Sequence, residues 1–342
     1  MIRFGVIGYG YWGPNLVRNI AETKGAGIVA VSDLRPERLA LAKGRYPAIS
    51  ATPDNLEVVR DPRVDVVVIA TPVYTHFKLA MLALEAGKHV VIEKPIAASS
   101  AEALRLIEAA EARRLQIMVD HTFVYTGAVR KIKELVDHGA LGRIQYYDSV
   151  RVNLGLFQPD VSVVWDLAVH DLSIMDYVLG TRPAAVSATG LSHVEGRPEN
   201  IAYITLFFGE PLIAHVHVNW LSPVKIRRTL LAGSQKMIVY DDMEPTEKVK
   251  VYDHGITVTP DAESLYKVLV GYRMGDMWAP KLDGTESLSA EFRHYVHCLE
   301  TGERPLTDAH AGLRVVRILE AATLSMKDRG RLVELKREEA GA

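Results

Sequence analysis

The sequence predicts an α/β protein of two domains. Residues 1–121 form an N-terminal doubly wound parallel sheet; residues 122–342 form a C-terminal α+β domain with a large, open, mostly antiparallel or mixed sheet. Apolar, β-branched runs alternate with helical stretches up to about residue 121, the pattern of a parallel sheet covered on both faces. Beyond it, strands of alternating polarity succeed one another, which suits a sheet with one covered face. A chain of 342 residues also exceeds one ordinary core and suits about two.

Residues 2–8, 27–33, 64–72, 88–95 and 115–121 read as buried strands. Helices are expected over 14–24, with Pro14 in a tolerated first turn, over 35–46, over 77–87 closed by Gly87, and over 99–115 behind a serine cap. TPVYTH (71–76) reads as the turn after the third strand. In the second half, helices are expected over 126–138 and about 164–179, then over 286–301 and 308–328. Between them lie IQYYDSVRVNL, AYITLFF, LIAHVHVNWL, IRRTLLAG, QKMIVYDD and KVKVYD, with hairpin breaks at Gly209-Glu210-Pro211 and Gly233-Ser234. The charged tail 332–342 is expected to fray.

A formal net charge of −2 gives no basis for nucleic acid or an anionic membrane as partner. Cys298 is the only cysteine, so an internal disulfide is impossible. The N-terminal apolar run is broken at once by glycines, unlike a secretory leader, and no stretch has the ~20 apolar residues of a membrane span. A cytoplasmic protein is expected.

Gly8-Tyr9-Gly10-Tyr11-Trp12-Gly13 is G-x-G-x-x-G between a strand and a helix. The first glycine allows a tight turn, the second lets a pyrophosphate approach, and the third lets helix and strand pack closely. Asp33 ends the second strand twenty residues after Gly13, placed to accept hydrogen bonds from ribose hydroxyls. This is the Rossmann pattern. Its carboxylate favours NAD over NADP, with Arg35 and Arg38 softening the preference. Thr71-Pro72 with His76, and Glu93-Lys94-Pro95, occupy two further strand ends where such sheets bind ligands. Taken singly, Lys94 reads as a surface lysine and His76 as a helix-start histidine.

Together with Asp166-x-x-x-His170, these motifs resemble the glucose–fructose oxidoreductase / inositol dehydrogenase / MocA (Gfo/Idh/MocA) family over nearly the whole chain. The resemblance implies a sugar or cyclitol dehydrogenase whose substrate lies between the C-terminal sheet and the nicotinamide. It implies cofactor contacts from the glycine loop, Thr71, Pro72, His76, Glu93 and Lys94, with Lys94, Asp166 and His170 as the catalytic set. A homodimer or homotetramer would pack through the C-terminal sheet. The chain departs from the family with Val73 where asparagine is frequent. It also has His121-Thr122-Phe123-Val124-Tyr125 where an N-x-R-F-like segment lines the site, the position from which Tyr125 would touch substrate.

Oxidising a secondary alcohol requires a hydride acceptor and a base. Histidine, with an unperturbed pKa of about 6.5, suits the base. His170 is therefore read as general acid/base, Lys94 as the group holding the reacting oxygen, and Asp166 as the orienting carboxylate; Lys94 as base is the rival. A D-x-x-x-H pair also suits a metal, but no third ligand has a compelling spacing, and no metal is expected. HYVHC (294–298) reads as a surface or interface cluster, with Cys298 as a small buried hydrophobe.

Trp220 followed by Lys225 and Arg227 on one strand face, with Arg151 and Asn153 alternating on another strand, reads as a sugar-diphosphate contact. Similar W-x-x-P-x-K-x-R segments occur in family members acting on nucleotide sugars. A nucleotide sugar, such as a UDP-N-acetylhexosamine oxidised at the 3-position, is the expected substrate. Inositol or a free sugar, the reverse ketosugar reduction, and a non-catalytic dinucleotide sensor are the alternatives.

Overall fold

The computed structural model describes residues 1–155, 161–209, 211–253, 255–259 and 269–335. The chain divides into two compact units, Met1–Thr126 with Thr285–Glu320, and Gly127–Gly284 with Ala321–Ala342. The division expected after residue 121 therefore shifts slightly and becomes discontinuous.

The first unit alternates β1 (Ile2–Ile7), α1 (Gly13–Glu22), β2 (Ala26–Ser32), α2 (Pro36–Arg45), β3 (Ser50–Thr52), α3 (Asn55–Arg60), β4 (Val66–Ile69), α4 (Val73–Glu85), β5 (His89–Glu93), α5 (Ser100–Ala112) and β6 (Ile117–Asp120). Its sheet has the order β3-β2-β1-β4-β5-β6, with every pair parallel. The order reverses at β1, the switch point beside which such sheets bind ligands. The short β3 and α3 were not expected from sequence; α3 starts where Asp54 accepts from the Leu56 amide at 2.9 Å. Helix α4 starts at Val73, so the expected TPVYTH turn is partly its first turn, with the Thr75 amide donating to Pro72 at 2.9 Å.

Residues 285–320 return to this unit because their apolar side chains complete its core. Phe292 meets Phe4 edge-on at 6.0 Å, and Leu288, Tyr295 and Val296 join Val6, Val31, Val68 and Met118. These belong to α8 (Ser287–Thr301); α9 (Ala309–Lys327) follows.

In the second unit come α6 (Gly127–Asp137), β7 (Ile144–Leu154), α7 (Val169–Leu179), β8 (Ala185–Leu191), β9 (Ile201–Phe207), β10 (Ile213–Asn219), β11 (Leu221–Gly233), β12 (Met237–Asp241), β13 (Val249–Tyr252), β14 (Gly255–Thr259), β15 (Leu269–Arg273), β16 (Met277–Trp278) and β17 (Val333–Glu334). Nine strands form one sheet, β16-β13-β12-β11-β7-β10-β9-β8-β17, and β14 pairs with β15 separately. Only β7 and β10 run parallel among the nine, so the expected mixed, mostly antiparallel sheet is present. In the tail, Val333 and Glu334 pair with β8 rather than fraying; residues 336–342 lie outside the described residues, as does Glu210 of the first hairpin break. No described helix is long and apolar enough to cross a membrane.

Candidate active site

The glycine loop is built as a dinucleotide requires. Gly8 has φ +99°, and a Cβ there would lie 2.3 Å from the Ala70 carbonyl oxygen. A Cβ on Gly13 would lie 2.2 Å from the Gly8 oxygen, so helix and strand meet backbone to backbone. Gly10 is open except for the Arg35 guanidinium at 3.2 Å. Helix α1 has no side-chain cap at Trp12, so no capping side chain competes with a phosphate for its positive N-terminal end. Tyr11 beside it is exposed. Asp33 is buried after β2 and accepts from the Tyr9 amide at 2.8 Å and from Arg35 at 3.1 Å. Burial works to raise its pKa, but the hydrogen bonds from Arg35 and Tyr9 prevail and hold it below the ordinary carboxylate value.

Thr71 and Pro72 follow β4 and Glu93-Lys94 end β5, on the same carboxyl edge. His76, expected beside the cofactor, lies between the two loops. It is buried, with Nδ1 2.9 Å from the Pro95 oxygen and Nε2 2.7 Å from the Thr71 oxygen, so it clips the two loops together. Burial drives its pKa down, against the pull of the two carbonyls.

In the second unit, Asp166 lies in a π-turn (Val164–Ala168) that runs directly into α7, and His170 is in the first turn of that helix. Such turns recur where a helix must re-aim a side chain at a functional site. Asp166 and His170 are both part-exposed. Ser173 is buried and donates to the His170 carbonyl at 2.8 Å. Asp171 points under the sheet, where Arg151 Nε donates to it at 2.6 Å and Ser149 Oγ at 2.6 Å.

The six expected substrate contacts lie in differing surroundings. Arg151 is committed to Asp171 and buried. Tyr125 is a core residue of the first unit, its hydroxyl 3.0 Å from Thr307 Oγ1. Trp220 is only 1% exposed; it continues the buried row of β10 and donates from Nε1 to Asp166 Oδ2 at 3.3 Å, so it supports the carboxylate instead of offering a stacking face. Lys225 and Arg227 do not share a simple strand face. The register of β11 against β7 jumps from Leu221–Leu154 to Ile226–Val152, which makes 222–225 a bulge carrying the exposed Lys225. Arg227 lies opposite Arg151 and pairs with Asp242 at 3.2 Å. Asn153 is part-exposed, two residues beyond Arg151 on β7.

A group in the first unit escaped sequence reasoning. Asp120 ends β6 beside Glu93, its register partner on β5, and Glu291 of α8 faces both. Burial first, then the Asp120 carboxylate, pushes Glu93 and Glu291 well above the ordinary carboxyl value. His121, 1% exposed, is pushed down to about 4, chiefly by burial. The available signal was a charged pair, Asp120-His121, ending an otherwise apolar strand. In HYVHC, Cys298 is buried as expected, together with Tyr295, while His297 is exposed at the surface and His294 Nε2 accepts from the Leu306 amide at 3.0 Å.

Comparison with known proteins agrees with this architecture. The NAD-binding Rossmann description of the Gfo/Idh/MocA oxidoreductases matches residues 2–121, and the Gfo/Idh/MocA C-terminal domain matches residues 129–239. Myo-inositol 2-dehydrogenase of Thermotoga maritima is 25% identical over 96% of this chain and 97% of its own. D-apiose dehydrogenase of Paraburkholderia graminis is 27% identical over 98% and 90%. Among solved structures, UDP-N-acetylglucosamine 3-dehydrogenase GnnA of Acidithiobacillus ferrooxidans is 24% identical with a TM-score of 0.80, covering 96% of this chain and 98% of that one.

Proposed function

The chain belongs to the Gfo/Idh/MocA family of NAD-binding sugar and polyol oxidoreductases, and from that premise we propose that it oxidises a ring secondary hydroxyl of a cyclic polyol or unactivated sugar. The observation that carries this reading is the commitment of the basic residues. Arg151 is held by Asp171 and Arg227 by Asp242, which removes two of the three cations expected to bind a diphosphate. Asp166 and His170, a carboxylate and an imidazole one turn apart, suit the hydroxyl groups of a polyol ring. The full-length relatives include inositol and apiose dehydrogenases.

In this reading bound NAD supplies the hydride acceptor. His170 takes the hydroxyl proton, Lys94 stabilises the charge developing on that oxygen, and Asp166 orients the ring through a neighbouring hydroxyl. Which residue is the base is testable by mutation. His170→Ala is expected to lower kcat by about 10²–10⁴-fold; near-normal turnover in His170→Ala with loss in Lys94→Ala would make the lysine the base. Asp33 supports NAD over NADP, because its carboxylate repels a 2′-phosphate.

A nucleotide sugar is the second reading, favoured by the exposed Lys225 on its bulge and by the fold shared with the UDP-N-acetylglucosamine 3-dehydrogenase. Following formation of reduced nicotinamide with inositols, aldoses and UDP-sugars decides between them: turnover confined to UDP-sugars, lost in Lys225→Ala, would replace the first reading by the second. Binding of NAD with no turnover on any panel member would favour a sensor.

The partner proposed for the second unit is another copy of this chain, as homodimer or homotetramer. One sheet face presents Tyr203, Phe207 and Ile213, 43%, 38% and 46% exposed on adjacent strands, an apolar area of the kind an isologous interface covers. Sedimentation of wild type and of Phe207→Lys with Ile213→Lys tests this, with a shift to monomer expected.

A further inference from the structure

Among the described contacts of the first unit, Asp120 is where separate chain segments meet. It is 2% exposed at the end of β6. The Trp12 indole N–H, from the glycine-rich loop, donates to its Oδ2 at 3.0 Å. The Thr122 hydroxyl donates to Oδ1. Glu93 stands beside it in register on β5, and the Glu93 carboxylate accepts from the Lys94 backbone amide at 3.1 Å. Glu291 reaches the same place from α8. A carboxylate buried to this extent costs several kcal/mol unless its oxygens are hydrogen-bonded. Closing a strand end does not require one. What this carboxylate does is tie the loop residue Trp12, 108 positions away in sequence, to the end of β6, beside the end of β5 that precedes the lysine.

The surroundings support a connecting role. Glu93 and Glu291 are both pushed well above the ordinary carboxyl value, by burial first and then by Asp120, which favours their neutral forms beside it. Asp120, Lys94 and Arg314 are the charged groups acting on the buried His121 beside it. Neither ring nitrogen of His121 has a protein partner, although the side chain is buried.

We propose that Asp120 is a positioning residue for the dinucleotide, holding Trp12 of the glycine-rich loop and, through Glu93, the backbone at Lys94 in one rigid arrangement. The proposal rests on the glycine loop and Lys94 serving NAD. Asp120 itself touches no reacting atom. Loss of either end of the Trp12–Asp120 bond then frees the same loop, so the two losses must not add.

Calorimetric titration of NAD into the full-length protein tests this. Wild type, Trp12→Phe, Asp120→Leu and the double variant are compared, each with its thermal midpoint. Trp12→Phe and Asp120→Leu are each expected to weaken NAD binding about tenfold, and the double variant no more than Asp120→Leu alone. A multiplied loss of about a hundredfold in the double variant overturns the proposal. So does unchanged NAD affinity with only a lowered thermal midpoint, the result of a purely structural role. If Asp120→Leu does not fold, Trp12→Phe decides alone, since its indole is only part-buried: unchanged affinity overturns the proposal. Absence of NAD binding by wild type would overturn the dehydrogenase reading as well, whereas wild-type binding with unaffected variants overturns this inference only.

Discussion

In the second unit, Asp171 is buried against Arg151 at 2.6 Å, both side chains less than 5% exposed, with Ser149 filling a remaining lone pair. In the first, Glu93, Asp120 and Glu291 are buried against one another. The first arrangement sets a cation against the buried carboxylate; the second favours the neutral forms of Glu93 and Glu291. The difference teaches that a buried acid is not in itself a mark of a site. What neutralises it sets whether the protein responds to loss of a partner or to a change of pH. Asp171 locks α7, and with it the His170 turn, onto β7. The three carboxyls join strand ends beside the proposed cofactor loop.

The largest effect expected from this contrast is Asp171→Ala. It leaves the Arg151 guanidinium buried with its main partner gone, which costs about 3–5 kcal/mol. Arg151's pKa is raised because Asp171 outweighs the burial that opposes its charge, so it will not escape by losing its proton. Urea unfolding should show the loss. Adding Arg151→Met to Asp171→Ala should recover part of it, because an apolar side chain needs no partner. A cost below about 1 kcal/mol for the single variant would mean the pair is not sealed from water, and the contrast between the units would fail.

His121 gives the next effect, on the first unit's side. Its folded pKa of about 4 lies below an unfolded value near 6.5. The neutral imidazole is therefore the form that the folded state accepts. Its contribution is complete above pH about 6.5 and is lost as pH falls towards 4, by about 3 kcal/mol. Urea midpoints at pH 7 and pH 4.5 should separate in wild type and converge in His121→Phe. Equal separation in both would assign the acid loss to other groups.

What the sequence disclosed follows the same division. The glycine motif and Asp33 were legible because Gly8, Gly13 and the end of β2 meet local backbone requirements at fixed spacing. Asp166 and His170 were legible as one helical face, although the π-turn was not. The partners of Arg151, Trp220 and Arg227 were not legible, because alternation along a strand names a face without naming what covers it. The covering residue for Arg151, Asp171, lies twenty positions later on a helix. The setting of Lys225 was not legible, because a bulge cancels alternation. The Leu288, Phe292 and Tyr295 spacing disclosed an apolar face on α8, but nothing local says that this face closes the core around Phe4. Asp120 and Glu291 were missed for the same reason: 171 residues separate two carboxyls that meet only in the fold.

The smallest expected effect sharpens the contrast most, because its sign is opposite to that of acid unfolding. Glu291 has its folded pKa raised, by burial, then by Asp120 and Glu93. A carboxyl of this kind favours the folded state while protonated. Its contribution is complete below the unfolded carboxyl pKa of about 4.3 and is lost as pH rises through the raised folded value. Glu291→Gln keeps a donor and nearly the same volume but cannot ionise. It should therefore leave stability near wild type at low pH and exceed it in alkaline solution, by on the order of 1–3 kcal/mol, the cost of one poorly satisfied buried polar group. Thermal midpoints of the two proteins at pH 6 and pH 9 make the measurement. A constant difference at both would mean that Glu291 holds its charge state throughout, by a cation and not by a proton, and the two units would then bury their carboxylates in the same way.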